Sequence, residues 1–297
     1  MNARALPGEP MQTPPADRQA DRHSIGELIR QLRRLNDSQV QDIMAHQRQH
    51  DLRFGEAAVA LRLASPGDVL WALSRQFHYP YAADGNTRLS AELVAAVDPF
   101  HAQAEAIRSI RSQLLQGVMA PDSGRKALAV VSPDVGDGKS YFAANLAIAF
   151  SQLGARTLLL DADLRSARQH RLFAVSNASG LSDILASRAV IGGLHAVPEL
   201  PSLFVLPVGA LPPNPVELLQ RPAFDRFLRD LLSQFEHVIV DTPAAVHGFD
   251  ARVLAAKCGA SLVIGRRGTS RMKALHELVD GLGRGTQKLA GVVINEH

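Results

Sequence analysis

The hydrophobic pattern changes character along the chain. Residues 1–23 mix Pro, Gln, Ala, Asp and Arg with almost no apolar side chain to bury, and read as a disordered leader. Between residues 24 and 81 apolar positions recur at helical spacing in two copies offset by 29 residues. Ile25-Gly26-Glu27 matches Phe54-Gly55-Glu56, Leu32-Arg33 matches Leu61-Arg62, Val40 matches Val69 and Gln47 matches Gln76. Each copy predicts helix, turn, helix. The second helices carry start signals: Asn36 three residues before Gln39, and Ser65-Pro66 ahead of Asp68. Two such pairs can bury their apolar stripes against each other as a small all-α domain. Residues 82–100 mix turn formers with one short apolar stretch and read as a linker.

From residue 101 to 297 the pattern alternates. Continuous apolar runs at Ala127–Ser132, Thr157–Leu160, Leu203–Pro207, His237–Val240, Ser261–Ile264 and Gly291–Ile294 are separated by helical segments. Strands without polar alternation are buried on both faces, so this predicts an α/β domain: a parallel sheet covered by helices on both sides.

Composition narrows the class. A hydrophobic content of 46% with 21% charged residues is that of a globular chain. The net charge is only +3, from 32 Lys+Arg against 29 Asp+Glu, and there is no dense basic run, which argues against nucleic acid as a partner. The single cysteine, Cys258, excludes an internal disulfide and a thiolate-built metal site, and fits a reducing cytoplasm. No apolar run approaches the roughly 18–20 residues that cross a bilayer, so any membrane contact is expected to be peripheral or through a partner. His46 and His50 are four apart but have no evident third ligand, too few for zinc.

The chemistry concentrates after three of the strands. Ser132-Pro133-Asp134-Val135-Gly136-Asp137-Gly138-Lys139-Ser140 lies between the strand ALAVV and a helical segment that begins at Tyr141. A glycine-containing turn entering a helix N-terminus presents backbone N–H groups to phosphate oxygens, with the helix dipole aiding. Lys139 would then reach the β/γ-phosphates and the Ser140 hydroxyl would meet Mg2+. The standard spacing wants Gly where Pro133 stands, so this is a variant phosphate loop. Leu158-Leu159-Leu160 runs into Asp161-Ala162-Asp163, and Val238-Ile239-Val240 into Asp241. Ligands of open parallel sheets bind beyond the carboxyl ends of strands, where such carboxylates can hold Mg2+ directly or through its waters.

These three segments resemble the Walker A, Walker A′ and Walker B motifs of bacterial tyrosine kinases, in the deviant P-loop group that also holds partitioning and division-site ATPases. The resemblance extends through Gln169–Phe173, Asn177–Asp183, Leu206–Leu219 and Asp250-Ala251. Partitioning ATPases usually place a second Lys early in the loop; Pro133 and Asp134 stand there, which favours the exopolysaccharide kinase branch. The architecture is similar to chain-length-determinant kinases of the EpsG type.

The resemblance implies Mg-ATP-dependent tyrosine phosphorylation. Gly136, Asp137, Gly138, Lys139, Ser140 and Tyr141 would bind ATP, Ser140, Asp161 and Asp241 would organise Mg2+, and Asp161 or Asp163 would help activate the acceptor hydroxyl. It also implies a cytoplasmic protein peripheral to the inner membrane, activated by a membrane-embedded polysaccharide chain-length regulator. The segment Glu105-x-x-Arg108-x-x-Arg111, whose side chains lie near one helix face, would mediate self-association into a ring. Residues 24–81 resemble the N-terminal domain of type II secretion ATPases, some of which bind cyclic di-GMP. Arg53-Phe54-Gly55 partly matches their motif, Ser24-Ile25-Gly26 lacks the Arg, and either that nucleotide or a docked protein is the implied ligand. One departure stands out. Many of these kinases phosphorylate a tyrosine-rich C-terminal tail, whereas this chain has Tyr79, Tyr81 and Tyr141 and stops at Asn295-Glu296-His297. A nucleotide-switch ATPase and a catalytically weak regulatory subunit are the competing expectations.

Overall fold

The computed structural model describes residues 24–76, 87–186 and 193–296. The chain divides into two compact units, Met1–Tyr79 and Pro80–His297. The expected leader, Tyr79 and Tyr81 lie outside the described residues.

The first unit contains α1 (Ile25–Arg33), α2 (Asp37–His50), α3 (Phe54–Ala60) and α4 (Pro66–Gln76). The start signals form as hydrogen bonds. Gln39 N donates to Asn36 Oδ1 at 2.9 Å while Asn36 N donates to Gln39 Oε1 at 3.0 Å, and Asp68 N donates to Ser65 Oγ at 3.2 Å. The offset also organises the core. Ile29, Leu35 and Ile43 of the first copy and Ala58, Ala64 and Ala72 of the second occupy equivalent positions, and all six are buried in one cluster. Large side chains in one copy and small ones at the equivalent positions of the other share one interior.

The second unit is a seven-stranded sheet in the order β3-β4-β2-β5-β1-β6-β7. Its strands are β1 (Ala127–Val131), β2 (Thr157–Asp161), β3 (His195–Val197), β4 (Leu200–Leu206), β5 (His237–Asp241), β6 (Gly259–Arg266) and β7 (Lys288–Asn295). β1, β2 and β5 are buried along their whole inner lengths, as continuous apolar runs require. The sheet is not wholly parallel, a correction to the expectation. β3 pairs antiparallel with β4 at the edge. Three residues joined to β4 by Pro198-Glu199 are too short to show a period, and a hairpin can only return antiparallel.

The helices of this unit are α5 (Val94–Val97), α6 (Ala102–Gln116), α7 (Lys139–Ser151), α8 (Gln169–Leu172), α9 (Leu181–Leu185), α10 (Pro215–Gln220), α11 (Pro222–Gln234), α12 (Asp250–Cys258) and α13 (Met272–Gly283). Two apolar clusters lie on opposite faces of the sheet, one holding α7 residues and the other residues of α11, α12 and α13. The described part of the expected linker belongs to the first. Leu89, Leu93, Ala95 and Ala96 are buried there. Polar side chains of α7 and its C-cap fasten this backbone: Ala95 N donates to Asn145 Oδ1 at 2.9 Å, Asn145 Nδ2 to Glu92 O at 2.9 Å, and Gln152 Nε2 to Ala95 O at 2.7 Å. Side chains fifty residues away decide this, which local pattern does not reveal.

Candidate nucleotide and metal site

The parallel strands β1, β2 and β5 are adjacent and in register, with Asp161 beside Asp241 and Val130 beside Asp241. Register therefore brings the three motifs to one edge of the sheet. The loop after β1 enters α7 with Gly136 at φ 86° and Gly138 at φ 94°, left-handed conformations that turn successive N–H groups to one side. A Cβ on Gly138 would also collide with the Asn295 side-chain amide.

The loop is held from behind. Arg266 Nη1 donates to Gly136 O at 3.2 Å and Asn295 Nδ2 to Asp137 O at 3.2 Å. The Asp137 carboxylate is buried, accepting from Asp134 N at 2.8 Å and from Ser270 Oγ at 2.5 Å. Carbonyls engaged outward leave amides free to face a ligand. The Asp137 side chain thus braces the loop, leaving its backbone as the part able to meet phosphate. Sequence reasoning misses Ser270 and Asn295. They come from the β6–α13 turn and the end of β7, with no motif of their own.

Lys139 opens α7 with its side chain buried, Nζ 3.5 Å from Asp163 Oδ2. Asp163 Oδ1 accepts from Arg165 N at 3.2 Å and Ser166 N at 2.8 Å. Asp161 Oδ1 accepts from Asp163 N at 3.2 Å and Oδ2 from Gln169 N at 3.1 Å. Asp241 Oδ2 accepts from Gln169 Nε2 at 2.7 Å, while its Oδ1 is buried without a hydrogen-bond partner. Burial, and then the neighbouring Asp241, push the Asp161 carboxyl well above the usual carboxylate range. Burial raises Asp241 as well, opposed by Lys139 and by the Gln169 and Ser140 side chains.

Three buried carboxylates thus face one cation among the described residues, and one carboxylate oxygen is orphaned. A divalent cation fits that imbalance. No three His, Cys, Asp or Glu side chains among the described residues converge to chelate an ion alone. That suits Mg2+, which is typically held by one or two carboxylates together with substrate phosphates and water.

Tyr141 lies on the first turn of α7, and its side chain reaches α6. Its hydroxyl donates to Gln103 Oε1 of α6 at 2.9 Å, and burial followed by the Glu92 charge raises its pKa. The α6 segment is also more inward than its spacing predicts. Arg108 pairs with Glu105 of its own helix through Nε at 2.9 Å and Nη2 at 2.5 Å. Arg111 Nη1 donates to Ala149 O of α7 at 2.7 Å.

Comparison with known proteins bears on this arrangement. Residues 128–297, more than half of the chain and all of the site, match the model of the CobQ/CobB/MinD/ParA nucleotide-binding domain. The chain belongs to this family. Within the CobQ/CobB/MinD/ParA family it resembles tyrosine kinases. It is 31% identical over 205 residues to the tyrosine-protein kinase wzc of Salmonella typhimurium, covering 69% of this chain and 28% of that protein. It is 28% identical to the tyrosine-protein kinase CpsD of Streptococcus agalactiae, covering 67% of this chain and 88% of that protein. Among solved structures it resembles the kinase domain of the Escherichia coli tyrosine kinase ETK, with a TM-score of 0.66 and 29% identity over 71% of this chain and 82% of that one. The chain spans less than a third of the length of the wzc kinase. No helix among the described residues is long and apolar enough to cross a membrane.

Proposed function

We propose that this chain is a Mg-ATP-dependent protein tyrosine kinase acting in exopolysaccharide export. The observation that carries the reading is the convergence of Lys139, Asp161, Asp163 and Asp241 at the strand ends, in a chain similar to tyrosine-kinase domains. Backbone N–H groups from Gly136 to Ser140 and the Lys139 ammonium would hold the phosphates. Ser140 and Asp241, with Asp161, would hold Mg2+, which when bound neutralises charge on the β- and γ-phosphates.

Geometry favours Asp163 over Asp161 as the base. Both oxygens of Asp161 accept backbone N–H groups, whereas Asp163 keeps Oδ2 off the backbone and toward Lys139. Asp163 would take the proton of the acceptor hydroxyl as its oxygen bonds to the γ-phosphorus and the bond to ADP breaks.

The acceptor is best sought on a partner protein or, within the chain, at Tyr79 or Tyr81. The Tyr141 hydroxyl is engaged with Gln103, which makes it a poor acceptor in its own subunit. A membrane-embedded chain-length regulator is the activating partner this reading implies. In the helical unit a groove of about 430 Å³ opens beside Gly26, Arg30, Met44 and Phe54, and would receive a partner protein or cyclic di-GMP. Transfer of label from γ-labelled ATP to protein tyrosine, with and without the regulator's cytoplasmic segment, tests the kinase reading. Hydrolysis without phosphotyrosine in either arm would favour a nucleotide-switch ATPase.

A further inference from the structure

Gln169 is fully buried and touches all three motifs. Its backbone N–H donates to Asp161 Oδ2 at 3.1 Å. Its side-chain Nε2 donates to Ser140 O at 3.0 Å and to Asp241 Oδ2 at 2.7 Å. Both side-chain partners are acceptors, so the amide cannot be turned over without setting oxygen against oxygen. Its Oε1 is thereby fixed on the other side, and that atom is buried with no hydrogen-bond partner. Asp241 Oδ1 is in the same condition.

A buried acceptor without a partner is costly, so two in one cluster call for a missing donor or cation. Chance placement of a glutamine explains one of these features, not the combination. A purely structural brace would use the amide fully. Leaving both remaining oxygens bare gains nothing for the fold.

We propose that Gln169 is a positioning residue for the divalent ion of this site. Its NH2 group holds Asp241 by Oδ2, so that Asp241 Oδ1 is left as an acceptor for the hydrated ion. The same NH2 group ties Asp241 to the Ser140 carbonyl, and hence to the residue whose hydroxyl is assigned to the ion. The proposal rests on the Mg-nucleotide reading above and adds a residue to it.

The test uses the full chain and ADP, with and without Mg2+, in titration calorimetry. Gln169→Met keeps the volume and removes every side-chain hydrogen bond. ADP affinity without Mg2+ should stay near that of the wild type, while the strengthening by Mg2+ should shrink roughly tenfold or more, as loss of a residue supporting metal ligands typically does. A merely structural role would lower Tm and leave the Mg2+ effect intact, which overturns the proposal. Should the variant not fold, the wild-type chain decides. The protected Gln169 side-chain amide resonance must shift when Mg2+ joins the ADP complex, and an unmoved signal overturns the proposal. If the wild-type chain binds no Mg-nucleotide, the broader reading fails first. If it binds and Gln169→Met responds normally to Mg2+, only the role of Gln169 falls.

Discussion

Lys139 Nζ lies 3.5 Å from Asp163 Oδ2, both side chains nearly excluded from solvent. A lysine of the loop after β1 is thus partnered by a carboxylate just beyond the end of β2. Two further carboxylates, Asp161 and Asp241, are buried beside them. The arrangement stores electrostatic imbalance at the site, and several consequences can be measured.

Lys139→Ala removes the cation that faces Asp163 and that is proposed to hold the phosphates. Mg-ATP affinity should fall by roughly a hundredfold, about 3 kcal/mol, and Tm should fall too because a buried carboxylate loses its partner. Calorimetry and thermal melts measure the two effects together. Undiminished nucleotide affinity would remove the loop from the active site.

Asp241→Asn should stabilise the ligand-free protein. The folded carboxyl is raised above its usual 3.8, so below that value both states are protonated and nothing is lost. As pH rises through the folded pKa, the unfolded chain has already released its proton and stability drops. The variant avoids that loss and should be the more stable chain at neutral pH, with no gain below pH 3.8. Mg-ATP binding should weaken at the same time. Thermal melts across pH check the sign, and a variant less stable than wild type at pH 7 contradicts it.

Ser270→Ala takes away one of the two donors to the Asp137 carboxylate. The expected cost is about 1–3 kcal/mol in stability, with weaker ADP binding because the loop is less firmly held. Ser270→Thr, which keeps the hydroxyl, should restore much of both. Equal ADP affinity in all three chains would limit Ser270 to a structural part.

The α6 charges now predict different outcomes. Arg111 is fixed to Ala149 O inside its own unit, so Arg111→Glu should lower Tm outright. Arg108 pairs with exposed Glu105, and Arg108→Glu should cost about 1 kcal/mol or less. If this surface assembles a ring, Arg108→Glu should yield monomers in light scattering with ATP binding retained. An unchanged assembly would reduce the Glu105–Arg108 pair to a helix-surface contact.

The sequence by itself determined the six parallel strands, the repeat and the three motifs, because each is written in local spacing. Apolar runs long enough to be buried on both faces specify central strands, and the strand-end carboxylates follow from where those runs stop. Asn36 and Ser65 announce their helices because a cap bonds only three residues ahead. Tertiary structure decided what depends on residues far apart in the chain. Nothing near Gln169 says that its amide will meet Ser140 and Asp241, 29 and 72 residues away, and nothing near Asn295 says that it will hold Asp137. The 82–100 stretch reads as linker by composition, yet Asn145 and Gln152 bind the backbone of Glu92 and Ala95 into the core. Local pattern fixes which faces are buried. Only the packed chain fixes which polar atoms meet there, because a buried donor takes whichever acceptor the folded backbone brings within reach.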